Sequence, residues 1–130
     1  METILKVFIE KDKNRLVLRA SGFVTPKQSE SIAVQFTNAL DEITKTNKQF
    51  TILIDLRGFK ASSPEVQTNI LKVQDAFIHS HAEKIASVVD SAITTMQLER
   101  IGKINNIERY LMRFNDLNDA AKWLDETESK

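Results

Sequence analysis

Two carboxylates and two serine-bearing helix starts carry most of the chemistry this sequence could perform. Asp55 stands near the end of the apolar run Phe50 to Leu56, and Asp90 follows the apolar run Ile85 to Val89. Carboxylates at the ends of neighbouring strands can hold Mg²⁺ or share a proton. The plainer alternative is helix capping, or an ion pair of Asp55 with Arg57. No third ligand and no suitable base accompanies the two in sequence, so acid–base or metal chemistry would need a cleft joining both carboxylates. Ser62-Ser63 and Asp90-Ser91 each precede a helical pattern. The free N–H groups and partial positive charge of a helix start favour an anion or a phosphoserine. Capping alone accounts for the same residue types.

The other motifs are sparse. His79 and His81 form a His-x-His near a helix end. Helical metal ligands are spaced three or four apart, so this spacing favours a cationic contact with the helix C-terminus over a metal site. The three glycines, Gly22, Gly58 and Gly102, are isolated, and no phosphate-cradling loop, nucleophile elbow or zincin helix is present. With no cysteine in the chain, disulfides, thiolate catalysis and cysteine-ligated metals are removed. The sequence therefore reads as a binding protein without a cofactor or metal, not as an enzyme.

Lys plus Arg total 18 and Asp plus Glu total 18. That balance gives no electrostatic case for nucleic acid or an anionic membrane as the main partner. It also opposes self-association only weakly, so a homodimer is open. A length of 130 residues with 42% hydrophobic content suits one domain with a core of useful size. The first residues lack a basic leader followed by an apolar run, and no apolar stretch approaches the ~20 residues of a membrane span. These features predict a cytoplasmic protein.

The elements that must position these residues follow from periodicity. Ile4 to Glu10 and Arg15 to Ala20 alternate as strands around the polar turn Lys11 to Asn14, which predicts an antiparallel hairpin. Thr25-Pro26-Lys27-Gln28 opens a helix to about Thr46 with a capping box, its inner face Ile32, Phe36, Ala39, Leu40 and Ile43, and Val34 exposed. Phe50 to Leu56 is apolar without alternation, the pattern of a strand buried on both faces. After a loop from Arg57 to Ala61, Ser63 and Pro64 start a helix to roughly His79 with Val66, Ile70, Val73 and Phe77 inward. Gln67 and Gln74 separate that stripe from a second apolar line, Leu71 and Ile78. Ile85 to Val89 is a further strand. Asp90 or Ser91 caps a third helix, with Ile93, Met96, Ile101 and Ile104 inward. Arg109 to Phe114 is a last strand, and Asn115 or Asp116 caps a last helix carrying Leu117, Ala120, Ala121 and Leu124. The order β-β-α-β-α-β-α-β-α makes an α/β domain, a mostly parallel sheet with helices packed on it. The whole chain, 1–130, reads as one domain with 126–130 frayed.

This order resembles the STAS family, the anti-sigma-factor antagonist fold, in the branch called SpoIIAA-like or STAS/SEC14-like. The leading hairpin, the strand Thr51-Ile52-Leu53-Ile54-Asp55-Leu56, the loop to Ser62-Ser63 and the closing Arg113-Phe114-Asn115-Asp116-Leu117 with Ala120-Ala121 and Trp123-Leu124 carry the resemblance. It implies a bacterial signalling module that docks a regulatory kinase or an anti-sigma-like protein. In such proteins a serine of an Asp-Ser-Ser-Gly-type motif accepts phosphate, which makes Ser62 and Ser63 the phosphorylation candidates. Here Ala61 precedes them and Pro64 follows, in place of the Asp and Gly of that motif. The SEC14-like part of the name implies an apolar small ligand or lipid as the alternative partner, held between helices and sheet.

Open α/β sheets gather function at the carboxyl ends of their parallel strands. The predicted binding rim is therefore Asp55, Arg57, Ser62, Ser63, Asp90 and Ser91. Leu71, Ile78 and Leu98, with Val34 and Trp123, lie off the main stripes. They either pack under neighbouring elements or form an apolar docking surface. The rim requires the strands near Ile54 and Val88 to run side by side and in the same direction.

Overall fold

The computed structural model describes residues 3–60 and 63–126. Strands β1 (Ile4–Glu10) and β2 (Arg15–Phe23) pair antiparallel, with Ile4 opposite Ser21 and Glu10 opposite Arg15. The turn between them ends on Asn14 at φ 50°, a left-handed conformation that asparagine tolerates. Helix α1 (Pro26–Thr44) begins with the capping box written in the sequence. Thr25 Oγ1 accepts the Gln28 N–H at 3.1 Å, and Gln28 Oε1 accepts the Thr25 N–H at 3.0 Å.

All five residues of β3 (Thr51–Asp55) are buried. A short strand β4 (Phe59–Lys60) follows and pairs in parallel with Gly22 and Phe23, inside a segment expected to be loop. Two residues are too few for any periodicity to register. The chain continues through α2 (Pro64–Ile78), β5 (Lys84–Val88), α3 (Ala92–Gly102), β6 (Met112–Phe114) and α4 (Leu117–Asp125). The sheet order is β1-β2-β3-β5-β6, with β4 attached to β2 and every pairing but β1·β2 parallel.

Ile54 lies abreast of Ser87 and Asp55 abreast of Val88, so the two central strands end at one carboxyl edge, as the rim requires. The sheet separates two cores. Leu16, Leu18, Ile52 and Ile54 pack on one face with Ile32 and Phe36 of α1 and Val66, Val73 and Phe77 of α2. The Phe36 and Phe77 rings meet edge to face at 4.9 Å. On the other face Val17, Leu53, Ala86 and Val88 pack with Ala120 and Leu124 of α4. Lys84 Nζ lies 4.9 Å from the Trp123 ring centre and donates to the Trp123 and Glu126 carbonyls at 2.9 and 2.7 Å, which pins the C-terminal end of α4 to the sheet.

Two expectations are corrected. Ile101 is buried as expected, but helix α3 does not turn Ile93, Met96 and Ile104 inward: they are 71%, 61% and 72% exposed, and Thr94, Leu98 and Gly102 are buried instead. The rotation is set by Thr94, whose hydroxyl donates to the Phe59 carbonyl at 3.0 Å, and by Gly102, which abuts Ile107 so closely that a Cβ would lie 2.5 Å from its Cγ2. The last strand also starts at Met112, not Arg109, because Ile107–Arg109 forms a 3-10 turn entered through Asn106 at φ 60°. Among the described residues no helix is long and apolar enough to cross a membrane.

Candidate functional site

At the carboxyl edge, Asp55 is only 4% exposed and its charge is met from two sides. Its Oδ1 accepts from Arg57 Nε at 2.8 Å and from the Arg57 N–H at 3.3 Å, while Oδ2 accepts from Arg57 Nη2 at 2.8 Å. Arg19 Nε stands 3.8 Å from the same Oδ2. Burial disfavours the charged carboxylate. The hydrogen bonds and charge of Arg57, with the charge of Arg19, outweigh it and hold the Asp55 carboxyl below its ordinary range. The Asp55 hydrogen bond in turn raises Arg57.

Asp90 is exposed, and its charge, felt at Arg57, helps to raise that group, but its hydrogen bond goes to the loop after β3. Its Oδ1 accepts the Gly58 N–H at 3.0 Å, tying the end of β5 to the loop after β3. Gly58 sits at φ 78°, and a Cβ there would lie 2.6 Å from Ser21 Oγ, so the loop requires glycine. Ser63 caps α2 by accepting the Val66 N–H at 3.3 Å, and Ser91 caps α3 by accepting the Thr94 N–H at 3.3 Å. The structure thus brings Asp55, Arg57, Ser63, Asp90 and Ser91 to one edge, with each engaged inside the protein. Ser62 lies outside the described residues.

Among the described residues no group of three His, Cys, Asp or Glu could hold a metal ion. His79 ends α2, with Nδ1 2.8 Å from the Asp75 carbonyl. The apolar surface proposed at Leu71, Ile78 and Leu98 does not form. Leu98 is 3% exposed and belongs to the interior face of α3, while Ile78 is half-buried against the larger core and Leu71 is half-buried. Among the described residues the large apolar groups in water are instead Ile93, Met96 and Ile104, with Tyr110 and Met112, and, on β1, β2 and α1, Phe8, Phe23 and Val34.

A feature that periodicity did not reveal lies between the sheet and α1 and α2. A cavity of about 80 Å³ is walled by Leu18, Ala20, Ile54, Ile32, Val73 and Phe77 among others. Ser87, Asn69, Gln74 and Arg113 add polar groups to its lining. Asn69 Nδ2 is satisfied by Ser29 Oγ at 2.7 Å. Gln74 is 6% exposed, and its Oε1 is buried with no hydrogen-bond partner among the described residues; the same holds for Arg113 Nε. Gln74 reads in sequence as a polar separator like Gln67, which is exposed. The only available signal was its place immediately beside Val73 and four residues after Ile70.

Comparison with known proteins places this geometry. In sequence, the profile of the family described as SpoIIAA-like matches residues 15–125. Among solved structures, the chain is similar to an uncharacterized protein of the DUF3478 family with a SpoIIAA-like fold from Shewanella loihica PV-4. The two are 18% identical, with a TM-score of 0.60 over 94% of this chain and 93% of that one. No curated protein matches the sequence. The mostly parallel sheet with its packed helices is therefore that of a SpoIIAA-like fold, and the chain belongs to the SpoIIAA-like family.

Proposed function

We propose that this chain is a non-enzymatic regulatory module that docks a protein partner at its carboxyl edge, through the loop before α2, the first turns of α2 and the neighbouring start of α3. The observation that carries the reading is the pair Ile93 and Met96, two large apolar side chains in water on the opening turns of a helix that begins at Ser91 on the rim. Apolar groups left exposed beside a polar rim are the usual core of a docking patch. The family supports the same class of role, since SpoIIAA-like domains include anti-sigma-factor antagonists. A phosphate on Ser63 would sit at the α2 N-terminus, where free N–H groups favour it, and would change the charge of the patch; Ser62, outside the described residues, is the other candidate. Capture from a lysate of the source organism tests this. Ile93→Glu should abolish a partner that Lys48→Glu, on the exposed turn after α1, retains. A partner captured equally by both would sink the assignment of the surface. Intact-mass measurement of the native protein tests the phosphate.

A second reading, a protein for a small apolar ligand, is favoured by the cavity between α1, α2 and the sheet. Its volume of about 80 Å³ is far below that of a lipid pocket, so a whole lipid does not fit without movement of α1 or α2.

A further inference from the structure

We infer that the cavity between the sheet and helices α1 and α2 takes a small uncharged molecule with a hydroxyl head and a short aliphatic tail. The inference rests on the ligand reading above and adds the chemistry of the occupant.

The tail follows from the walls. Leu18, Ile54, Val73 and Phe77 line the cavity with aliphatic and aromatic carbon, and such a surface holds water poorly because it offers few partners. A volume of about 80 Å³ is near half that of an apolar cavity that admits benzene, which leaves room for about three non-hydrogen atoms inside, with the end of a slightly longer tail lying toward its open side.

The head follows from the two orphaned polar atoms. Gln74 Oε1 is buried and needs a donor, while Arg113 Nε is buried and needs an acceptor. Leaving either group dry is costly, and native interiors rarely do so. A hydroxyl oxygen answers both demands with one atom, giving its proton to Gln74 and accepting from Arg113. Ser87, 2% exposed, lends a further hydroxyl to the same wall.

Neutrality follows from the charge already present. Among the described residues Arg113 is the only ionisable side chain lining the cavity, and its Nη2 is hydrogen-bonded to the Glu108 carboxylate. With that pair made, a second anion would be buried without a counter-charge, and a cation would meet the guanidinium.

Methyl- and amide-resolved NMR titration of the full chain tests this with 1-butanol, butyrate, butylammonium, diethyl ether and xenon as probes. Saturable shifts with 1-butanol should appear at the Ile54 and Val73 methyls and at the Gln74 side-chain amide. Binding should be at least tenfold tighter than for butyrate, butylammonium or diethyl ether, which accepts but cannot donate. Gln74→Met should keep xenon binding and lose that preference; if the variant fails to fold, the Gln74 amide shifts of the natural chain decide. Xenon binding with no preference for 1-butanol, or tighter binding of butyrate, overturns the hydroxyl head and leaves the ligand reading standing. No saturable response to either xenon or 1-butanol leaves water as the occupant and overturns both.

Discussion

At Asp55, burial and pairing pull in opposite directions, and pairing wins. The carboxylate is held by both nitrogens of the Arg57 fork and by Arg19, so its folded pKa lies below the value of about 3.9 expected in the unfolded chain. A group depressed in this way contributes its full stability above the unfolded pKa and loses it as the pH falls through the folded one. Asp55→Asn should therefore destabilise the domain by about 1–3 kcal/mol at pH 7, less than for a fully buried pair because half-buried Arg57 recovers water. The deficit should shrink as urea melts are repeated from pH 7 toward about pH 2. A deficit that stays constant with pH would mean the carboxylate's charge is not what the site uses. Asp125, held by the Arg15 hydrogen bond and by Lys13, adds to the acid sensitivity with the same sign. Of the rim residues, Asp55 with Arg57, Ser63 and Ser91 were legible as pairing and capping types, because each acts on a neighbour in sequence. Asp90 was not legible as the anchor of Gly58, since that bond spans 32 residues.

Among the elements, α1 and α2 declare themselves because Thr25-Pro26-Lys27-Gln28 and Ser63-Pro64 are local signals. Helix α3 does not. Hydrophobicity favours burying Ile93 and Met96, but Thr94 is accepted inside because Phe59, brought over by β4 pairing with β2, supplies a carbonyl for its hydroxyl. Thr94→Val keeps the shape and removes that donor, leaving the Phe59 carbonyl without it. It should cost about 1–2 kcal/mol in chemical denaturation. Gly102 pins the other end of the same face. Gly102→Ala drives a methyl into Ile107, which is fully buried and cannot turn aside, and should cost about 1–3 kcal/mol with loss of the 3-10 turn's near-native NMR shifts. Wild-type stability in either variant would show that α3 holds its rotation by other contacts. A pocket between helices and sheet was implied by the resemblance, but the burial of Gln74 in its wall was not readable, for a related reason. Gln67 and Gln74 look alike on a helical wheel, and only the strands facing α2 decide which of them is enclosed.

Across the molecule, β3 and β5 lie in the middle of the sheet, covered on both faces, while β1 and β6 form its margins. Their continuous apolar runs made this depth readable in the sequence, whereas the sheet order beyond them came from chain alternation and the handedness of crossovers. Amide hydrogen exchange should accordingly be slowest at Ile52–Ile54 and Ile85–Val88 and fastest in β6 and the Asn105–Tyr110 segment. Uniform exchange across all strands would contradict a layered stability. Among the described residues helix α4 is the one helix packed in the core on its side of the sheet, shielding Val17, Leu53, Ala86 and Val88, and it follows the strands in chain order. On the ribosome, then, the strands emerge before their rear shield does. For the seconds needed to make and release the segment from Leu117 onward, the nascent domain offers a bare oily flank to any chaperone waiting at the exit tunnel.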